Sequence, residues 1–440
     1  MNKLHPSASG ASASTARTVA EKLVEMRAPG SFAAKPPRLV SLDAYRGFIM
    51  IMLAASGFGI ARLAQLPETA PVWKEVDYAA WQELAFHFGH PPWRSRFGTM
   101  GVSFWDLIQP AFMFMVGVAL PYSYARRVKL GHSKWRIYLH AAWRAMVLVL
   151  MGVFLQSLST RTTNWSFVNV LSQIGLGYIF LYPLINRRPA AQLAVLALIL
   201  VGYWGYFASY RPPQDYDYAA VGATPETVFE GRFSPWSKNA NAGHRFDVWL
   251  LNLFPQPQGK FDFNRGGYVT LNFIPSIGTM LLGLMAGQWL RRDGSAWRKL
   301  GVLVIAGAVC MGLAIAADLY VCPIVKRIWT PSWVLFSGAY VLWMLAGFYF
   351  LFDVLPLRYL AFPLTIVGMN SIAMYLMGQM MRPWTVRQIH THFAGLLEEM
   401  AGKPVFADDW LGRVLDPTSA FIVFWLIALW MYVNRFFVRV

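Results

Sequence analysis

The sequence predicts an all-α, polytopic membrane protein of about ten transmembrane helices with both termini in the cytoplasm. Three observations carry that expectation. Of the 440 residues, 56% are hydrophobic and only 14% are charged. An ordinary soluble domain carries about 25% charged residues, so this chain lacks the charge to cover several water-facing surfaces. The mean hydropathy is +0.39. The apolar residues also fall into runs close to the roughly 20 residues that cross a hydrocarbon core of about 30 Å. These features exclude disordered, fibrous and disulfide-stapled classes. Cys310 and Cys322 stand at no metal-binding spacing and read as inert thiols of the membrane region.

Residues 1–37 are rich in Ala and Ser, with Lys3, Arg17, Lys22, Arg27 and Lys35 scattered through them. No apolar run of signal-peptide length precedes residue 47, so this stretch is expected to be a disordered cytoplasmic tail. Residues 38–440 form the transmembrane part. Its apolar runs lie near 46–64, 101–121, 137–158, 167–185, 190–209, 270–290, 299–320, 331–352, 361–381 and 416–434. The second runs through Phe112-Met113-Phe114-Met115-Val116. The fourth and fifth are divided by Asn186-Arg187-Arg188-Pro189, a charged stop followed by a helix-starting proline.

Orientation follows from the connections. Arg126, Arg127, Lys129, Lys134 and Arg136 separate the second run from the third; Arg291, Arg292, Arg298 and Lys299 follow the sixth; Arg435 and Arg439 close the chain. Basic residues concentrate in cytoplasmic loops. That distribution accounts for the net charge of +17 without a nucleic-acid partner, which would require a basic polar face. The expected surroundings are a lipid bilayer. Three long segments, 65–100, 210–269 and 382–415, then fall outside. Connections longer than about 12–15 residues usually carry function, and these hold His87, His90, His244, His390 and His392 among many tryptophans.

Several residues in these segments suit chemistry. His87-Phe88-Gly89-His90-Pro91-Pro92-Trp93 closes the first outer segment, and Trp105-Asp106 follows in the next helix. An imidazole near neutral pH serves as general base or covalent nucleophile; the spacing alone favours a histidine that hydrogen-bonds in an interfacial loop. Asp106 sits in an apolar stretch, where ionisable residues mark function, although a carboxylate also suits a helix start. With a histidine it would form an orienting pair like that of hydrolytic triads. No cysteine or carboxylate set completes a metal site. Asn370 and Ser371 lie mid-helix, as a site or as helix–helix adhesion. Lys326, Trp329 and Thr330 suit an anionic or sugar group, and Trp329 equally suits an aromatic-belt anchor. No P-loop, GxGxxG or HExxH motif occurs.

Taken together and in order, these stretches are familiar. Arg38-Leu39-Val40-Ser41-Leu42-Asp43-Ala44-Tyr45-Arg46-Gly47, His90-Pro91-Pro92-Trp93, Gly101-Val102-Ser103-Phe104-Trp105-Asp106-Leu107-Ile108-Gln109-Pro110, Lys326-Arg327-Ile328-Trp329-Thr330-Pro331-Ser332 and Gly368-Met369-Asn370-Ser371-Ile372 resemble the transmembrane acyltransferases related to heparan-alpha-glucosaminide N-acetyltransferase. The resemblance implies a multi-pass enzyme that takes acetyl from cytosolic acetyl-CoA and delivers it to a sugar across the membrane, with no metal. The active histidine of that family maps onto His90, as acetyl carrier or general base. Asp106 is its expected catalytic partner; Trp93, Lys326, Trp329, Asn370 and Ser371 are the expected substrate-binding positions.

The chain departs from the family pattern at Ala54-Ala55-Ser56-Gly57-Phe58-Gly59, at Ser172-Gln173, at Asn264-Arg265-Gly266-Gly267 and by an insertion from Arg94 to Met100. The large amino-terminal lumenal domain of the animal enzyme is expected to have no counterpart here, which would fit a relative in the bacterial inner membrane. CoA carries phosphates, so Arg46, Arg126 and Arg127 are expected to attract the donor on the cytoplasmic face; topogenic charge explains the same arginines. The expected function is acyl transfer from acyl-CoA to a cell-envelope sugar, and a homodimer is an allowed assembly. A lipid or sugar flippase that makes no bond, and a non-catalytic membrane scaffold, are the rival readings.

Overall fold

Apolar runs of this length must satisfy every backbone group internally in lipid, which leaves helices as the solution here. The computed structural model describes residues 39–91, 93–95, 102–355, 357–402, 404–406 and 410–438; the tail 1–37, most of the Arg94–Met100 insertion and Arg439 lie outside them. The described residues contain helices and no strand. In chain order the principal helices are α1 (Val40–Ala54), α2 (Tyr78–Phe86), α3 (Phe104–Lys129), α4 (Lys134–Ser157), α5 (Val170–Tyr178), α6 (Pro189–Ala208) and α7 (Ala242–Leu251). They continue with α8 (Phe273–Leu290), α9 (Ala296–Tyr320), α10 (Pro331–Tyr349), α11 (Phe362–Met369), α12 (Ser371–Met380), α13 (Arg382–Ala401) and α14 (Trp410–Val433).

All ten predicted runs fall on helix, but among the described residues only seven helices have the length and hydropathy of a full span. Two further spans are broken: α1 bends by 47° into Ser56–Leu63, and the segment ending in α11 bends by 66° into α12. The first break has a local cause. Ser56, Gly57, Phe58 and Gly59 all take left-handed backbone angles, with φ of 48°, 61°, 54° and 74°, a region that α-helix excludes. The fourth run is short, because α5 tightens at Tyr178 into a 3₁₀ segment containing Pro183. Segment 382–415 is no open loop either, since α13 occupies twenty of its residues.

Helices differ in how much of their surface meets other helices. The most apolar windows of α3 and α8 are 72% and 83% buried, against 22% and 28% for α6 and α9. α3 and α8 therefore form the centre, and α6 and α9 present leucine, valine and isoleucine to lipid. On α4 the outward stripe runs Trp135, Leu139, Trp143, Met146, Leu150 and Phe154, at helical spacing. The central crossing depends on small residues, as membrane helix contacts commonly do. A Cβ on Gly283 would fall 2.0 Å from the Phe114 carbonyl oxygen, and one on Gly117 1.9 Å from that of Met280. α1 crosses α11 in the same manner at Gly47 and Gly368. At the far end of α10, the Asp353 carboxylate accepts from the Val40 and Ser41 amides at 3.2 and 3.1 Å, capping α1.

Gly283→Val should force α3 and α8 apart and destabilise the protein by about 1–3 kcal/mol, read as a lower Tm in detergent. Gly312→Ala, on α9 with nothing within 4 Å of the new methyl, should leave Tm unchanged or slightly raised. Equal effects of the two would remove the crossing from the argument. For orientation, cysteines at the exposed Ala80 and Ala220 should react with an impermeant thiol reagent in intact cells; protection of both would invert the expected topology. Ala240, although in the same outer segment, is fully buried and unsuited to the test.

Candidate active site

Three of the sequence-predicted residues meet where α3 begins. His90 Nδ1 lies 2.7 Å from Asp106 Oδ1, and Lys326 Nζ donates to that same oxygen at 2.6 Å. The side chains of Asp106 and Lys326 are 6% and 7% exposed, whereas that of His90 is 46% exposed. A buried carboxylate is costly unless it is paired. Lys326 supplies the compensating charge, which leaves Asp106 to orient the imidazole. With Nδ1–H donating to the carboxylate, the free lone pair lies on Nε2, the ring nitrogen turned away from the pair.

Each member is held by local structure. Ser103 caps α3 by accepting from the Asp106 amide at 3.1 Å, and its hydroxyl donates to the Gly89 carbonyl at 2.6 Å. The Trp105 amide donates to the His87 carbonyl at 3.0 Å. The segment that carries His90 is thus sewn to the first turn of the helix that carries Asp106. Lys326 sits in a tight turn that Thr330 closes, its hydroxyl accepting from the Val325 and Trp333 amides. Neighbouring helices pin the same turn: Tyr203 Oη donates to the Ile328 carbonyl, and Asn272 Nδ2 to that of Arg327. Trp329 there takes φ of 45°, a strained backbone for a bulky residue.

A further network joins the His90 and Lys326 segments directly. Asp318, at the end of α9, accepts from Arg94 Nη2 at 2.9 Å and Nε at 3.2 Å, and from the Ile324 amide at 2.8 Å. The Ser95 amide donates to the Ile324 carbonyl at 2.9 Å. Arg94 and Asp318 thereby set the spacing between the two groups that share Asp106. The sequence offered a signal for Asp318, an acidic residue ending an apolar helix, and only an insertion boundary for Arg94.

His90 and Lys326 open onto a cavity of about 860 Å³, whose other walls come from 156–170 and 256–268. The lining is rich in side-chain amides, including Gln109, Gln156, Asn164, Gln256 and Asn264, with Trp165 and Tyr268 among them. Asp247 on α7 also lines it, 1% exposed, accepting from the Thr270 amide at 2.9 and 3.1 Å. Burial pushes its carboxyl up to about 7, against the lowering effect of the Thr270 hydrogen bond. Gln109 and Asn264 lie in stretches that the family resemblance singles out, whereas Gln156, Asn164, Gln256 and Asp247 carry no sequence signal of their own.

The remaining predicted positions are placed elsewhere. Trp93 and Trp329 are 2% and 1% exposed and do not line the cavity; Trp93 Nε1 donates to the Trp236 carbonyl, and Trp329 Nε1 to Thr279 Oγ1. They pack behind the site, where their indoles gain more from burial than an exposed position would allow. Asn370 is fully buried at the α11–α12 break, bonding the Phe436 carbonyl at 3.3 Å and the Val438 amide at 3.1 Å, with Ser371 beginning α12. Neither touches the cavity. Arg126 and Arg127 lie in the last turn of α3, about 30 Å from Asp106 at 1.5 Å per residue. Arg46 stands 3.9 Å from Asp43 on α1. A second pair, His390 and Asp416 at 2.7 Å, ties α13 to α14. Among the described residues no three His, Cys, Asp or Glu side chains stand together as a metal site.

A helical membrane bundle with a buried carboxylate shared between a histidine and a lysine, open to a polar cavity, defines a class of membrane-embedded group-transfer candidates. Comparison with known families makes the class specific: the profile described as heparan-alpha-glucosaminide N-acetyltransferase, catalytic, matches residues 78–318, and the chain belongs to that family. The match contains His90 and Asp106 and ends just before Lys326. Human heparan-alpha-glucosaminide N-acetyltransferase is 23% identical over 385 residues, covering 78% of this chain and 53% of the human protein. The chain thus spans about half the length of the curated relative it matches.

Asp318→Asn and Arg94→Ala should each loosen the His90–Lys326 spacing. We expect a fall of about 10-fold or more in any His90-dependent rate, with Tm lowered by no more than a few degrees. The exchanged pair, Arg94→Asp with Asp318→Arg, should recover part of the loss. An exchange no better than the single variants would assign the pair to folding alone.

Proposed function

We propose that this protein is a membrane acyltransferase that moves an acetyl group from acetyl-CoA to a sugar of the cell envelope, with His90 Nε2 as the reacting atom. The observation that carries the reading is the shared Asp106 carboxylate: it orients His90 on one side and fixes Lys326 on the other, both at the wall of one polar cavity. An imidazole held by a carboxylate with its second nitrogen free is suited to attack a thioester carbonyl. Lys326 retains donors beyond the one given to Asp106, and these suit the oxygen that becomes negative as the carbonyl carbon turns tetrahedral.

Family membership supports the transferase class, and the human relative's activity, as its name gives it, points to acetyl transfer and a glucosaminide. The cavity supports a sugar acceptor on separate grounds. Side-chain amides match the paired donors and acceptors of hydroxyl groups, and Trp165 and Tyr268 offer ring faces to apolar sugar faces. Arg46, Arg126 and Arg127 suit the phosphates of the donor at the other end of α3, on the face we assign to the cytoplasm of a bacterial inner membrane. A flippase would need no histidine held on a buried ion pair, so the geometry favours bond formation.

The test is His90→Asn in purified protein reconstituted with labelled acetyl-CoA. We expect normal insertion and folding with transfer reduced about 10²–10⁴-fold, whereas His87→Asn, which leaves the His87 carbonyl bond to Trp105 intact, should be mild. Near-parental turnover in the His90 variant would overturn the catalytic assignment.

A further inference from the structure

The cavity contains a buried carboxylate that the acyl-transfer scheme has not used. Asp247 projects from α7, is 1% exposed and faces the space shared by His90 and Lys326. Its two oxygens accept from the Thr270 amide, and the Thr270 side chain stands beside them. A carboxylate offers about four acceptor sites, so most of its capacity is unspent. Among the described residues no cation pairs with it. A buried carboxylate without a cation weakens the fold, and Tyr203, which faces it from α6, brings no positive charge.

His90 cannot meet every demand of the reaction. Nδ1 is engaged by Asp106, so Nε2 is the one ring nitrogen available. While Nε2 carries an acyl group it cannot accept a proton. The acceptor, a hydroxyl or amine written X–H, must lose its proton as it attacks, and another group has to take it.

Building on the acyltransferase reading, we propose that Asp247 binds the X–H group of the acceptor and accepts its proton in the second half of the reaction. In the first half, Nε2 attacks the thioester carbonyl, the C–S bond breaks and CoA leaves as its thiolate. In the second, the X–C bond forms and the C–Nε2 bond breaks. The bonding pair returns to Nε2, and the X–H proton passes to the Asp247 carboxylate, from which solvent or the thiolate removes it. No oxidant, reductant or metal enters the balance.

Burial supports the role, because it lifts the Asp247 carboxyl to about 7, near the value a general base needs at neutral pH. The titratable and charged groups sharing the cavity are His90, Lys326, Lys260, Asp262 and Arg265, and Tyr203 faces Asp247 from α6. His244, on the same helix, is itself pushed toward the neutral form by burial. The sign follows: only ionised Asp247 accepts a proton, so discharge to the acceptor should rise with pH through about 7 and then level. Folded protein holds this proton more tightly than the unfolded chain, so Asp247 should lower stability as pH rises from about 4 to 7.

The experiment uses the full-length protein in lipid nanodiscs, loaded with radiolabelled acetyl-CoA and discharged to glucosamine or to hydroxylamine. In Asp247→Asn, label on the protein should form at the parental rate. Discharge to glucosamine should fall about 10²-fold or more and lose its rise near pH 7. Discharge to hydroxylamine, a small nucleophile that attacks without a base, should change less than 3-fold. Tm above pH 7 should be equal to or higher than that of the parent, and Asp247→Glu should recover part of the glucosamine rate. Parental discharge to glucosamine in the Asn variant, or parallel loss of loading and discharge, would overturn the proposal. If the parent takes up no label and transfers nothing, the acyltransferase reading itself fails. Glucosamine binding by tryptophan fluorescence then still judges Asp247: a Kd weakened at least 10-fold in the Asn variant supports its contact with the acceptor, and an unchanged Kd overturns it.

Discussion

A carboxylate buried near the end of an apolar bundle has to be neutralised, and at Asp106 that requirement reaches across the chain. Its partners are His90, sixteen residues before it, and Lys326, 220 residues after it. Charge in a low-dielectric surrounding is expensive to leave unpaired, so the first long connection and the α9–α10 turn must converge on the start of α3. The Ser103 cap, the Arg94–Asp318 bridge and the pinned Lys326 turn all serve that convergence. Had any of these segments been free to drift, the ion pair would open and the histidine would lose its orientation.

The bundle around this point is divided by the same physics that inserted it in lipid. Association between membrane helices gains little from apolar burial, since lipid is as apolar as leucine. The central pair, α3 and α8, instead gains from close approach at Gly117 and Gly283, while the large apolar side chains of α4, α6 and α9 face outward. A rigid centre follows, and it is α3, the helix bearing Asp106, that this centre holds. The two ends of α3 present different chemistry: an oriented imidazole at one and a cluster of basic residues at the other.

The cavity at the His90 end combines groups that pull in different directions. Lys326 is already spent in part on Asp106, whereas Asp247 is held by one amide and pushed toward its neutral form by burial. One of these carboxylates is locked in an ion pair and the other is pushed toward its neutral form by burial, so two similar side chains acquire different properties. The amide-rich walls add hydrogen-bonding capacity without adding charge, so they do not disturb that difference.

Composition and hydropathy alone determined that the chain is a helical membrane protein and where its apolar helices fall, because a bilayer demands about 20 apolar residues per crossing whatever they pack against. The motifs around His90, Asp106 and Lys326 were legible too, since ionisable groups stand out in an apolar string. Tertiary structure decided what such signals cannot carry. Left-handed backbone at Ser56–Gly59 and the break at Asn370 bend two runs that read as continuous, because hydropathy is blind to backbone angle. Trp93 and Trp329 pack behind the site, and Asn370 bonds the C-terminal segment, since a sequence does not reveal which face of an aromatic or amide will find a partner. Asp247 and Asp318 gained their meaning only when folding buried one against an open cavity and bonded the other to the distant Arg94 segment as well as to its own following turn. Burial and pairing are properties of what surrounds a side chain, and only the folded chain supplies those surroundings.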